Sequence, residues 1–193
     1  MTITQREFPG FRKYETSFAD RPLSFETGKL AELANAAVLV KYGGTTILCT
    51  VTAGAKPRDG IDYFPLSVDF EEKLYSVGRI PGGFLRREGR PSEKAVLISR
   101  VIDRPMRPLF PSDLRNDVII ACTVLSVDYD APPEVAAMLG ASLATHISDV
   151  PWNGPIAGLV LGYADGKYLV NPTQKERETS QMSVFVAATK SKV

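Results

Sequence analysis

Residues 78–110 read GRIPGGFLRREGRPSEKAVLISRVIDRPMRPLF, and the rest of the chain is organised around this stretch. Between Arg79 and Arg115 stand nine basic residues (Arg79, Arg86, Arg87, Arg90, Lys94, Arg100, Arg104, Arg107, Arg115) and four acidic ones (Glu88, Glu93, Asp103, Asp113), a net of +5. The whole chain carries +1, so the remainder sums to −4. A near-neutral chain with its positive charge gathered in one place points to a polyanionic partner, because phosphate attraction is the largest sequence-independent term in nucleic-acid binding.

The stretch divides in two. Residues 78–91 carry Gly78, Pro81, Gly82, Gly83, Gly89 and Pro91, a loop composition. Within it Phe84 stands beside Arg86 and Arg87, with Arg90 just beyond. An exposed aromatic stacks on a base of any identity, and arginine stacks or forks onto phosphate. Such a loop suits single-stranded nucleic acid without sequence preference. The alternative is a solvated loop with Phe84 tucked into the core. From Ser92 onward the pattern turns helical. Ser92 is placed to cap, Glu93 lies near the positive helix end, and Ala95, Val96, Leu97, Ile98, Val101 and Ile102 offer a wide apolar face. Arg100, Arg104 and Arg107 fall at i, i+4, i+7, one stripe if the helix persists. Pro105 disfavours helix at Arg104 and removes an N–H, which would leave Arg107 in the turn beyond. The three arginines could converge on phosphates, or could form surface ion pairs with Asp103 and its neighbours, which contribute little each.

At 193 residues, 44% of them hydrophobic, the chain is long enough for one domain with a proper core. No run of 18 apolar residues is present to cross a membrane, and residues 1–21 show no signal-peptide core. The expected compartment is therefore the cytosol. Cys49 and Cys122 lie in apolar, strand-like runs and read as buried reduced thiols.

Outside the basic stretch strands dominate. Residues 14–53 read as an antiparallel meander: 23–27 alternates, Gly28 interrupts, 29–33 resumes, and Gly43 and Gly44 link 36–42 to 45–53 as a hairpin. Residues 54–60 are a loop and 62–70 a further strand. After the arginine-rich helix, 118–127 is a strongly apolar strand expected at the sheet centre. Residues 132–147 form a small-residue helix opened by Pro132 and Pro133. Strands follow at 156–163 and 167–170 across an Asp165-Gly166 turn, then an exposed segment at 175–180 and a last strand at 182–188. This is an α+β fold with a mixed sheet and two helices.

GRIPGGFLRREGRPSE followed by ISRVIDRPMRPLFP resembles the first of the two RNase PH-like domains of bacterial polynucleotide phosphorylases, the polyribonucleotide nucleotidyltransferases. KYGGTTILCTVTAG and GIDYFPLSVDFEEKLYSVG resemble the same domain's early strands. The resemblance covers residues 8–193 and implies an RNase PH-like (ribosomal protein S5 domain 2-like) α+β fold over 1–193. It implies 3′-to-5′ phosphorolysis of single-stranded RNA, with inorganic phosphate as substrate and nucleoside diphosphates released. It further implies Mg²⁺ held by a second core domain, a cytoplasmic homotrimeric ring with a central channel, and other RNA-degradation proteins as partners. By the same resemblance Phe84, Arg86, Arg87 and Arg90 line the channel and bind RNA, while Arg100, Arg104 and Arg107 face the RNA and the cleft between the two core domains. The family's second core, helical, KH and S1 domains have no counterpart here, so the chain reads as a fragment.

Departures from the family pattern bear on the chemistry. In the family's catalytic copy, serines that bind the attacking phosphate precede the helix matching 132–147. Here Pro132, Pro133 and Glu134 stand in that place, offering no hydroxyl and one repelling carboxylate. The catalytic copy's metal-holding aspartate pair is matched by Gln181 and Ser183, poor ligands for a hard cation. This copy is therefore expected to hold no catalytic residues and no metal, and to bind RNA while its partner domain cleaves. Two other readings stand beside it: a stand-alone non-catalytic RNase PH-like ring subunit, as in exosome-like assemblies, and an active single-domain enzyme acting on tRNA ends, which Pro132–Glu134 opposes. His146, the single histidine, reads as structural, as do Asp59, Asp62 and Asp69, the last two placed by parity on opposite sides of one strand.

Overall fold

The computed structural model describes residues 7–193; the expectation for residues 1–6 lies outside them. Its largest element is a six-stranded mixed sheet ordered β1-β2-β3-β4-β6-β5, from β1 (Arg12–Phe18), β2 (Arg21–Thr27), β3 (Ala36–Tyr42), β4 (Thr45–Pro57), β5 (Leu66–Glu72) and β6 (Asn116–Ser126). All pairings are antiparallel except β5 with β6, where Phe70 lies beside Cys122. The β3–β4 hairpin is the one expected. Tyr42 pairs with Thr45 across Gly43, whose φ of 55° is the left-handed conformation a two-residue hairpin turn needs. The β1–β2 hairpin turns on Ala19 and Asp20, both at positive φ, a turn that carries no glycine to announce it.

Period-2 patterning assigns one sheet face to the core. Val38, Val40 and Tyr42 on β3, Ile47, Cys49 and Val51 on β4, and Val118, Ile120, Cys122 and Val124 on β6 are all buried. The intervening Thr46, Leu48, Thr50 and Thr52 are half-buried or exposed. Cys49 and Cys122 face each other across the β4–β6 pairing as free, buried thiols, 3.6 Å between sulfurs. The adjacent Cys122 sulfur, then burial, push the Cys49 thiol well above its usual range, which keeps it protonated.

Helices α1 (Glu93–Met106) and α2 (Pro133–Ile147) contribute to this core. Buried residues surround α2: Val135, Ala136, Ala137, Met138, Gly140, Ala141, Ser142, Ala144 and Thr145. A helix apolar all round is one packed on several sides. On one side Gly140 lies so close to the sheet that an added Cβ would sit 2.5 Å from the Cys49 sulfur and 2.7 Å from a Val40 methyl. On the other, Met138 meets Gly158 of a second, three-stranded sheet ordered β8-β7-β9, made of β7 (Ala157–Ala164), β8 (Lys167–Val170) and β9 (Ser183–Ala188).

Several expectations require correction. Residues 29–33 form no strand; they are a loop carrying Leu33 fully exposed. The strand expected from residue 62 begins at Leu66, so Asp62 lies in a loop and the parity argument applies only to Asp69. Helix persists through Arg104 and Pro105, held by the fully buried Ile102 and Met106, but it ends at Met106, so Arg107 lies in the short turn beyond, as expected. Val96 and Leu97 are exposed, so the apolar face narrows to Ala95, Ile98, Ile102 and Met106. A third, short helix, α3 (Gln174–Thr179), occupies the segment expected only to be exposed. Its Thr173 side chain accepts from the Glu176 N–H and Glu176 reaches back to Thr173, a capping box legible as Thr-x-x-Glu.

Candidate nucleic-acid interface

The basic loop runs from Gly78, which closes a short turn over Leu74–Val77, to Ser92 at the start of α1. Ser92 caps as expected, accepting from the Ala95 N–H at 3.1 Å. Within the loop, Phe84 and Leu85 form the tip of a turn closed by the Arg86 N–H to the Gly83 carbonyl at 2.9 Å. Arg86 itself takes a left-handed φ of 47°. Phe84 is 102% exposed, so it is an aromatic presented to solvent and no part of the core. Ile80 and Leu85 are exposed beside it. The sequence could not decide between a buried and a displayed Phe84, because a lone aromatic among glycines has no periodicity to assign its face.

Among the described residues, Arg79, Arg86, Arg87, Arg90, Arg100 and Arg104 form no side-chain hydrogen bond or ion pair, and all six are exposed. Each of these six charges is thus free of a direct partner among the described residues. Arg107 differs. Its guanidinium pairs with Asp103 at 2.7 Å and donates to the Phe64 and Leu66 carbonyls, both at 3.1 Å, riveting the end of α1 to the start of β5. Arg100 and Arg107 share a groove of about 340 Å³ along β5, whose lining does not include Arg104.

Arg90 lines a larger cleft of about 690 Å³ between the basic loop, the β5 end and the start of α2. Its charged lining is balanced: Lys73, Arg90, Lys94 and Arg177 against Glu71, Glu72, Glu88 and Glu134. The Glu71 carboxylate holds the Lys73 ammonium above the ordinary lysine range, so it stays charged.

The start of α2 is poorly equipped to take phosphate. Helix N-termini bind anions through free backbone N–H groups. Pro132 and Pro133 have none, and the Val135 and Ala136 N–H groups already point back to the Pro132 carbonyl at 3.2 and 3.4 Å. The carboxylate of Glu134 adds repulsion. The donor set at Gln181 and Ser183 does not fit a divalent cation either: an amide and a hydroxyl, both exposed, replace the carboxylates such an ion prefers. Among the described residues no three His, Cys, Asp or Glu side chains converge as a metal site would need. Asp59, Asp62 and Asp69 are exposed and separate, and His146 is exposed in the last turn of α2.

A family model described as the 3′ exoribonuclease family, domain 1, matches residues 19–151. The model of that family's domain 2 matches residues 154–193. The junction falls between α2 and β7, where the chain passes from the six-stranded sheet to the three-stranded one. Among curated proteins, the chain is 60% identical over 183 residues to the polyribonucleotide nucleotidyltransferase of Ruminiclostridium cellulolyticum, covering 95% of this chain and 26% of that protein. It is 55% identical to that of Clostridioides difficile, over 92% of this chain and 25% of the relative, and 53% identical to that of Heliobacterium modesticaldum, over 93% and 25%. The chain thus spans about a quarter of the length of the curated relatives it matches. With one family model covering residues 19–151 and these identities, the chain belongs to the 3′ exoribonuclease family.

Proposed function

We propose that this chain is the RNA-gripping first core domain of a polyribonucleotide nucleotidyltransferase. In this reading the assembled enzyme shortens single-stranded RNA from its 3′ end by phosphorolysis, in a cytoplasmic homotrimeric ring. A second core domain supplies the phosphate-binding groups and the Mg²⁺, which would neutralise charge at the transition state. This domain supplies the grip. Phe84 stacks on a base, and Arg86, Arg87 and Arg90 neutralise phosphates, with Arg100 and Arg104 extending the basic surface toward the cleft. Arg107 contributes through position, holding α1 against β5.

The observation that carries the reading is the fully exposed Phe84 on a turn flanked by unpaired arginines, in a chain of net charge +1. The relatives' printed names support the enzyme reading over the stand-alone ring subunit. Replacing Phe84 by Ala tests it. Base–aromatic stacking contributes about 1–3 kcal/mol per base, so RNA affinity falls between about fivefold and a hundredfold, to the same degree on purine and pyrimidine homopolymers. Because no residue rests on the Phe84 ring, thermal stability stays unchanged. Unchanged affinity in a folded variant would remove Phe84 from the RNA path.

A further inference from the structure

We propose that Glu88 is the positioning residue of the basic loop, holding Phe84, Arg86 and Arg87 in the orientation that grips RNA. The inference rests on the RNA-gripping reading of that loop and adds to it a residue of the opposite charge. Among the described residues, every hydrogen bond or ion pair joining residues 80–91 to the rest of the protein ends on Glu88. Its Oε1 accepts from the Leu74 backbone N–H at 2.8 Å, and its other oxygen lies 3.5 Å from the Lys73 ammonium. Lys73 is fixed in turn by Glu71 at 2.6 Å, at the end of β5. Among the described residues no other hydrogen bond or ion pair joins the loop to the body, and within it there is one internal backbone bond, Arg86 to Gly83. A loop so sparsely held loses its conformational entropy on binding unless something orders it beforehand. Glu88 lies one residue from Arg87, two from Arg86 and four from Phe84, near enough to fix their common stem.

Charge and tether make opposite demands on this residue. A carboxylate among arginines repels phosphate, so charge alone makes its removal tighten RNA binding. A tether makes its removal loosen it. Glu88→Gln and Glu88→Ala remove the same charge, but only Gln keeps an oxygen for the Leu74 N–H. The test measures binding of the full chain to a single-stranded homopolymer RNA by fluorescence anisotropy across a salt series, with amide hydrogen exchange measured without RNA. Glu88→Gln is expected to bind at least as tightly as the unsubstituted chain. Glu88→Ala is expected to bind about fivefold more weakly than Glu88→Gln, with the same salt slope, since the same arginines meet phosphates. Without RNA, the Leu74 amide and the amides of residues 82–90 exchange faster in the Ala variant alone. Equal affinities for the two variants, or equal exchange, would overturn the tether. An unsubstituted chain that binds no RNA would instead overturn the gripping reading, and the exchange comparison would still decide whether Glu88 orders the loop.

Discussion

Replacing Arg86 and Arg87 together by alanine is expected to weaken binding to RNA of any sequence by about tenfold or more at physiological salt and to flatten its salt dependence. On a single strand, the slope of log K against log salt changes by about 0.7 for each phosphate that a basic side chain neutralises, so removing two such side chains flattens it by about 1.4. Neither side chain forms a hydrogen bond or ion pair within the described residues, so the variant keeps its thermal stability. The Arg86→Lys, Arg87→Lys pair separates charge from shape. Lysine restores the slope, while the absence of the planar fork and of stacking leaves affinity below that of the arginines. A double alanine variant with the original slope would mean that these arginines meet no phosphate.

The largest expected effect on stability comes from Asn171. It is fully buried at the end of β8 and joins the two sheets. Its Oδ1 accepts from the Val160 N–H at 2.9 Å, its Nδ2 donates to the Tyr42 hydroxyl at 2.9 Å, and its carbonyl accepts from Arg21 at 2.8 Å. Asn171→Ala leaves the buried Val160 N–H without a partner, at about 1–3 kcal/mol for a buried unsatisfied group, while the Tyr42 hydroxyl keeps the Arg21 guanidinium at 3.2 Å. It also places alanine at a left-handed φ of 49°, adding about 1–2 kcal/mol. The sum is about 3 kcal/mol, a fall in Tm of about 6–12 °C for a chain of this size. A Tm within about 1 °C of the parent for the Ala variant would show that the sheets are held by apolar packing alone.

What the chain discloses without a structure depends on whether a pattern has a period. The alternation of 45–51 and 118–124 assigns a core face residue by residue, and the β3–β4 turn is spelled out by its two glycines. The same logic fails where period and propensity conflict. Residues 29–33 look like a resumed strand, yet they follow Gly28 at a positive φ and find no neighbouring strand to pair with. The Pro105 rule rightly leaves Arg107 beyond the helix but underrates helix at Arg104, because it weighs a local preference and omits the burial of Ile102 and Met106 on either side. The second sheet is legible as strands but not as a separate layer. Its docking rests on Met138 against Gly158 and on Asn171 reaching Tyr42, residues brought together from distant parts of the chain. In the candidate interface, composition locates the basic loop, while only geometry distinguishes the unpaired arginines from Arg107, which is engaged with Asp103 and two carbonyls. Glu88 carries no signal in the sequence, since a single acid in a basic run reads as partial neutralisation until its bond to Leu74 is seen.

The measurement closest to the central claim is phosphorolysis by this chain alone. It is incubated with end-labelled single-stranded RNA, inorganic phosphate and Mg²⁺, and the release of nucleoside diphosphates is followed alongside RNA binding. The expected result is RNA bound, more weakly in the Arg86→Ala, Arg87→Ala variant, and no diphosphate released. Release of diphosphates would contradict it, and would mean that an active site is built here from residues other than Pro132–Glu134 and Gln181–Ser183.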